Sequence, residues 1–266
     1  MPRFLLRLAY DGTAYVGWQR QRNGISVQQR LEEAAAPLAG RPVVVVGAGR
    51  TDAGVHALAQ AAHVDLQTDL SDDAVLRALN SRLPLDIRVR HAAQVPDDLH
   101  ARFSAVGKSY RYRWLISRVG HPLLERDAWR VPPPLDVMAM REAAGRLSGT
   151  HDFAAFQSTG SEIEGTVREM TDVWLRSTAA DEAPDAGLVA DEALLELLIS
   201  GSGFLRHMVR AIAGTLTEIG RSRWPVDYID TLLASHDRAL AGPTAPAHGL
   251  TLLAVQYKGE ELVPNA

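Results

Sequence analysis

The stretch "VVVVGAGRTDAGVHAL", residues 43–58, joins four valines to a glycine-rich loop and then to a second apolar segment. "RPVVVVG", residues 41–47, predicts a buried strand because β-branched residues favour strands. "LAQAAHVDLQT", residues 58–68, predicts another. Gly47 ends the first strand, and the loop between the two strands contains two further glycines and one carboxylate, Asp52, two residues after Arg50. An ionised carboxylate held between two strands can act as a nucleophile or as a general base.

The residues around this stretch predict a βαββαβ unit. Residues 3–10 and 86–96 have the pattern of strands. A helix is expected to start at Ser26 as N-cap, with Gln29 as capping-box partner, and to stop at Gly40. A second helix, residues 71–83, starts at Ser71 and has two acids in its first turn.

The second half of the chain repeats this order of elements. Strands are predicted at residues 108–116, 165–177, 192–201 and 249–259. Helices are predicted at residues 135–149, 203–220 and near 225–235. The helix at 203–220 carries one apolar stripe, which consists of Phe204, Met208, Ile212, Leu216 and Ile219.

The predicted fold class is therefore α+β, with two tandem ferredoxin-like (βαββαβ, RRM-like) halves, a mostly antiparallel sheet and a central cleft. The predicted domains are 1–103, which carries the aspartate loop, and 104–266, which completes the cleft.

Composition and charge limit the possible functions. No apolar run approaches the roughly 20 residues of a membrane span, and Arg3, Arg7 and Asp11 interrupt the N-terminal apolar residues, so we expect a cytoplasmic protein without a signal peptide. There is no cysteine, which excludes disulfides and thiolate chemistry. The net charge of −4 argues mildly against a nucleic-acid partner. The excess of acids lies in the C-terminal part of the chain, however, where residues 177–266 hold 12 acidic and 6 basic side chains. Nucleic acid therefore remains a possible partner.

The glycine loop does not fit the known nucleotide-binding patterns. Gly47 and Gly49 form GxG, but the third glycine is Gly54, a strand follows, and no Lys-Ser/Thr pair is present. Asp52 has two interpretations at this point: a reactive carboxylate in a gap, or an Asx-turn residue bonding its own backbone.

Seven stretches, spread over nearly the whole chain, resemble the tRNA pseudouridine synthase A family. The most specific is "GRTDAGVHA" within "GAGRTDAGVHALAQ". The others are "YDGTAYVGWQRQ", "SVQQRLEEA", "HARFSAVGKSYRYR", "GTHDFAAFQ", "GSGFLRHMVRAIAGTL" and "AGPTAPAHGLTLLAVQY". Residues 176–193 have no counterpart in the resemblance, and we expect a surface loop there.

The resemblance implies an isomerase that converts uridine to pseudouridine at positions 38, 39 and 40 of the tRNA anticodon arm. It implies a homodimer without cofactor or metal. By similarity, Asp52 is the catalytic aspartate, Tyr110 stacks near the target base, and Arg50 and Arg210 bind substrate.

Other interpretations of these residues remain open at the sequence level. Tyr110, Tyr112 and Trp114 alternate along one strand face and could be core, with Arg111 and Arg113 turned toward phosphate or toward solvent. Arg206 and Arg210 lie one helical turn apart on the predicted helix, and each could pair with a surface acid. Arg20 and Arg22 could contact an RNA backbone or only solvent.

Two other functions are weighed against the isomerase. Tandem βαββαβ units also form RRM modules, but no RNP sequence is present. A metal-dependent hydrolase could use Asp52 with His56 and His63, although no second acid lies near Asp52 in the sequence.

Overall fold

The chain divides into two compact units, one formed by Met1–Lys108 together with the strand from Thr251 onward, the other by Ser109–Leu250. The computed structural model describes residues 1–158, 165–182 and 184–259. The last strand, which the predicted division assigns to the C-terminal half, thus lies with the N-terminal unit. None of the helices in the described ranges is long and apolar enough to cross a membrane.

The N-terminal unit has the predicted order of elements. Its strands are β1 (Arg3–Tyr10), β2 (Val46–Gly47), β3 (His56–Asp65) and β4 (Ile87–Val95), joined by β10 (Leu250–Tyr257). Its helices are α1 (Val27–Ala39) and α2 (Asp72–Asn80). The sheet order is β4-β1-β3-β10, with β2 also on β3. Strand β1 is antiparallel to β3 and β4, whereas β10 runs parallel to β3.

The predicted helix boundaries in this unit follow from their caps. Ser26 Oγ accepts a hydrogen bond from Gln29 N, and Gly40 closes α1 with a φ of 64°. The capping box is only half formed, because the Gln29 side chain donates to Glu33 instead of turning back to Ser26. Ser71 caps α2 at Ala74 N.

The prediction of a buried strand over residues 41–47 is wrong for most of its length. Only Val46 and Gly47 pair with β3, and Val44 is 69% exposed. The backbone of Val45 bonds to side chains of α1: its carbonyl accepts from Gln28 Nε2, and its N–H donates to Glu32. The backbone groups of Val45 are therefore satisfied without a neighbouring strand.

The C-terminal unit contains two strands that the sequence pattern does not predict. They are β6 (Trp129–Val131), parallel to the end of β5 (Ala105–Ile116), and β7 (Gly149–Asp152), antiparallel to β8 (Val167–Ala179). The sheet order is β5-β9-β8-β7, where β9 is Ala193–Gly201. Strands β8 and β9 are antiparallel, so the predicted α+β class with mostly antiparallel pairing is confirmed.

Two predicted helix boundaries in this unit are wrong. Helix α3 is Val137–Gly145: the N–H groups of Arg146, Leu147 and Ser148 bond carbonyls three residues back rather than four, and Gly149 then begins β7 with a φ of 98°. Helix α4 is Met208–Gly220, because His207 has a φ of 62°, which breaks the helix before it. Phe204 therefore lies outside α4, whereas the other four members of the predicted stripe are buried on it. Helix α5, Tyr228–Ser235, is present as predicted.

The predicted surface loop at residues 176–193 is shorter than expected. Strand β8 continues to Ala179 and β9 begins at Ala193, so Arg176 to Thr178 are strand residues paired with β9.

The two faces of β5 have different environments. Tyr112 and Trp114 are fully buried, and Trp114 Nε1 donates to Thr217 Oγ1 on α4 at 2.9 Å. On the opposite face, Arg113 Nε donates to Glu196 at 2.8 Å, and its Nη1 donates to Asp127 at 2.6 Å.

Glu196 is the centre of a buried ion-pair cluster. Burial raises the pKa of this carboxyl, but hydrogen bonds from Arg176 and Arg113 outweigh it and hold that pKa below its ordinary value. Arg111 lies 3.5 Å from the same carboxylate. Arg111 and Arg113 therefore face neither bare solvent nor an open phosphate site.

Buried His63 makes the stability of the N-terminal unit depend on pH. Its Nδ1 accepts from Ala101 N at 3.1 Å. Burial, followed by the nearby charges of Arg3 and His100, lowers its pKa from 6.5 to about 4. The unfolded chain therefore takes up a proton below about pH 6.5 that the folded chain does not, so stability is lost as the pH falls from 6.5 toward 4.

We expect His63→Gln to lose less stability than wild type between pH 7 and pH 5, because Gln can accept the same N–H without titrating. The difference should be roughly 1–2 kcal/mol, measured by urea unfolding. His91→Gln, at an exposed position, is the matched control and should show the same change in unfolding free energy between pH 7 and pH 5 as wild type. If His63→Gln also follows wild type, His63 does not contribute to the pH dependence.

Candidate active site

Asp52 lies in the connection between β2 and β3, here called the aspartate loop, residues 48–55. The first part of the loop is fixed to β3. Ala48 N donates to Ala61 O at 2.8 Å, and Gln60 Nε2 donates to Gly49 O at 3.1 Å. A turn closes the second part, where Val55 N donates to Asp52 O at 3.1 Å and Gly54 has a φ of 79°.

The segment after β1 braces this loop through the main chain. Trp18 N donates to Thr51 O at 3.0 Å, and Gly17 forms an antiparallel bridge with Asp52. Asp52 is therefore held by backbone hydrogen bonds on both sides of its own residue.

Two glycines of the bracing segment make this approach possible. A Cβ on Gly17 would lie 2.5 Å from Thr51 O, and the φ of Gly17 is 105°. A Cβ on Gly12 would lie 2.0 Å from Val55 O. Any side chain at either position would clash with the loop backbone. Sequence reasoning missed both residues, although both stand in the quoted "YDGTAYVGWQRQ".

Side chains of the loop alternate between the core and the accessible side. Thr51 is buried, and its Oγ1 is 2.8 Å from the buried Tyr10 hydroxyl. Burial raises the pKa of Tyr10 to about 12, so the phenol stays protonated at neutral pH. Arg50 is exposed and Asp52 is half-buried. This alternation directs Arg50 and Asp52 away from the core, and the local sequence did not reveal it.

The two histidines of β3 do not support the metal-hydrolase alternative. His56 and His63 are seven residues apart on one strand, which separates them by roughly 20 Å. The Nδ1 atoms of both accept backbone N–H groups, from Gly12 for His56 and from Ala101 for His63, each at 3.1 Å. Over the described ranges, no three His, Asp or Glu side chains form a group that could hold a metal ion.

Tyr110 lies on β5 in the C-terminal unit and is 9% exposed. Its ring meets Phe204 edge to face, with centroids 4.9 Å apart. Tyr110 is thus largely packed, like Tyr112 and Trp114, and one of its contacts comes from the segment that leads into α4.

Arg210 lies in the first turn of α4 and is half-buried. Its Nε donates to Ala245 O at 2.7 Å, while Ala245 N donates back to Arg210 O at 3.0 Å. These bonds orient the guanidinium and fix the segment around Ala245 against α4.

The other arginines considered from the sequence have different surroundings. Arg206 is exposed and precedes α4, so it is not one helical turn from Arg210. Arg20 pairs with Glu32 at 3.0 Å, and Arg22 is exposed. The structure therefore places Arg50 and Asp52 in one loop of the N-terminal unit, and Tyr110 and Arg210 in the C-terminal unit.

Comparison with known proteins agrees with the sequence resemblance. The family model described as tRNA pseudouridine synthase matches residues 8–104 and 143–258. The chain is 46% identical to a protein named tRNA pseudouridine synthase A from Syntrophotalea carbinolica, over 97% of each chain. It is 43% identical to proteins of the same name from Myxococcus xanthus and Maricaulis maris, over 97% of this chain and 93% and 99% of theirs.

Among solved structures, this chain is similar to the one titled "Crystal Structure of a Cbf5-Nop10-Gar1 Complex", with 9% sequence identity and a TM-score of 0.33. The match covers 94% of this chain and 48% of that one. This likeness is too weak to bear on the fold. The matches to the family model and to the named relatives extend over most of the sequence and include the aspartate loop. The chain therefore belongs to the tRNA pseudouridine synthase family, a family of isomerases.

Proposed function

We propose that this protein isomerises uridine to pseudouridine at positions 38, 39 and 40 of the tRNA anticodon arm, with Asp52 as the catalytic residue. The main support is the geometry of the aspartate loop: a half-buried carboxylate whose own backbone is bridged to Gly17 and closed in a turn to Val55. Such a carboxylate is already oriented before substrate arrives, which is how enzymes reduce the cost of reaching a transition state.

The reaction breaks the bond between C1′ and N1, turns the uracil, and forms a bond between C1′ and C5. The C5 proton is then lost to a base, so atoms balance without any external reagent. In this proposal Asp52 attacks C1′ or C6, or removes a sugar proton, and all three roles need an oriented, accessible carboxylate. A uridine inside a stem must first leave the base stack.

The other three residues contact the substrate in this proposal. The Tyr110 ring stacks near the target base, as aromatic side chains do with exposed bases. Exposed Arg50 bonds a backbone phosphate, for which a guanidinium fork is suited. The Arg210 guanidinium, oriented through its Nε bond to Ala245 O, contributes a second cation.

The remaining parts of the proposal rest on the resemblance to the family. We propose a homodimer located in the cytoplasm that needs no cofactor or metal. Sedimentation of the purified chain tests the dimer directly, because a single species at the monomer mass would contradict it.

Asp52→Asn should lower tritium release from a tRNA transcript labelled at uridine C5 by at least about 1,000-fold, because the amide cannot act as nucleophile or base. Binding of the transcript should persist. Asp69→Asn, which changes an exposed acid outside the loop, should release tritium as wild type does. Near-normal tritium release by Asp52→Asn would show that Asp52 is not needed for the reaction. If the wild-type protein binds the transcript but releases no tritium, the protein is an RNA-binding protein rather than an isomerase.

Tyr110→Leu should raise KM for the transcript by roughly 10- to 100-fold, since one base–aromatic stack contributes about 1–3 kcal/mol. Tyr110→Phe keeps the ring and should bind as wild type does. Thermal unfolding of both variants reports whether the contact with Phe204 survives. Equal KM values for the Leu and Phe variants, with both folded, would contradict a stacking role.

Gly17→Ala should reduce kcat at least about 100-fold, because its Cβ would push Thr51 O and with it the backbone of Asp52. Gly40→Ala is the matched control: Gly40 also has a positive φ, of 64°, but nothing lies within 4 Å of its added Cβ. It should cost about 1 kcal/mol of stability and leave kcat unchanged. The two variants are compared by steady-state kinetics and by thermal unfolding. Equal kcat values for the two variants would show that loop bracing does not position Asp52.

A further inference from the structure

Each glycine around Asp52 has a different physical reason to be glycine. At Gly47, an added Cβ would lie 2.4 Å from the Trp18 ring. Gly54 has a positive φ, which a side chain disfavours. Gly49 has neither feature: its φ is not positive, and its added Cβ would meet only Lys108, at 3.2 Å from Cε and 3.6 Å from Nζ.

The glycine at position 49 therefore leaves room for a lysine side chain. Lys108 lies on β5, is half-buried, and is the last residue of the N-terminal unit. Its stem crosses Gly49, which places its ammonium group against the loop three residues before Asp52. Lys108 is also one of only two lysines among the 28 basic residues of the chain.

The surroundings of Lys108 fit an anion that arrives with the substrate. Exposed Arg50 follows Gly49 directly in the sequence, so a second basic residue stands next to the glycine that the Lys108 side chain crosses. Every nucleotide carries a phosphate, and an ammonium group can donate three hydrogen bonds to such an oxygen cluster. A nucleotide that leaves its stack needs its backbone held in the displaced position.

We propose that Lys108 binds the RNA backbone phosphate beside the target uridine, and that Gly49 is kept free of a side chain so that the lysine can reach it. This inference rests on the proposed function, since it takes the tRNA backbone as the ligand. Lys108 is thus a substrate-binding residue, and Asp52 remains the catalytic residue.

The test compares Lys108→Met, which keeps the stem but removes the charge, with wild type. Filter binding of an unmodified tRNA transcript is measured over a range of NaCl concentrations. We expect Lys108→Met to weaken binding about tenfold at 150 mM salt and to reduce the slope of log affinity against log salt by about one, as loss of one phosphate contact requires. Lys108→Arg should restore both the affinity and the slope.

Lys258→Met is the matched control, because it removes the only other lysine, an exposed residue just after β10. It should bind with the wild-type slope. Thermal unfolding confirms that each variant is folded.

Two results would overturn the inference. One is a Lys108→Met variant that is folded and has the wild-type affinity and slope. The other is an unchanged slope with a slower single-turnover rate, which would assign Lys108 to the chemistry at Asp52. Failure of the proposed function is seen separately, as absence of tritium release by wild type.

Discussion

The contact between the main chains at Gly17 and at Thr51–Asp52 is the constraint on which the candidate active site depends. It requires a glycine with a φ of 105° on one side and a turn closed by Gly54 on the other. The same segment is also bonded to the first turn of α1, because the carbonyl of Gly17 accepts from Val27 N and the carbonyl of Trp18 accepts from Gln28 N. The brace that fixes Asp52 is therefore continuous with the first helix of the unit.

This arrangement explains why the loop is rich in glycine although its sequence lacks the patterns of dinucleotide-binding and phosphate-binding loops. Glycines weaken a segment through their conformational entropy, and here hydrogen bonds to β3 and to Trp18 oppose that effect. Buried Thr51 adds a side-chain anchor on Tyr10 below the loop. A carboxylate on such a support keeps its position while a bulky substrate enters, which a freely moving Asx turn would not provide.

The sequence predicted the elements that have strong local signals and missed those that tertiary contacts decide. Capping serines located α1 and α2, and alternating side chains located β4 and β5. The valine run failed as a strand because side chains of α1 satisfy the backbone of Val45. Helix α4 began later than its apolar stripe indicated, because no pattern foretells the left-handed His207.

The candidate site shows the same limit. Local chemistry left Asp52 between a reactive carboxylate and an Asx-turn residue, and only the resemblance of "GRTDAGVHA" assigned it a role. Gly12, Gly17 and Lys108 could not be recognised, because their importance lies in atoms they approach from distant parts of the sequence. Arg113, for which the sequence left phosphate and solvent open as surroundings, is held by Glu196 and Asp127.

The central claim is that the carboxylate presented by this loop serves pseudouridine formation in the anticodon arm. The most direct test maps pseudouridine by carbodiimide modification and reverse transcription, on a full-length unmodified tRNA with uridines at positions 38, 39 and 40 and elsewhere. We expect new stops at those three positions after treatment with wild type and none after treatment with Asp52→Asn. Stops only at other uridines, or stops that persist with Asp52→Asn, would contradict it.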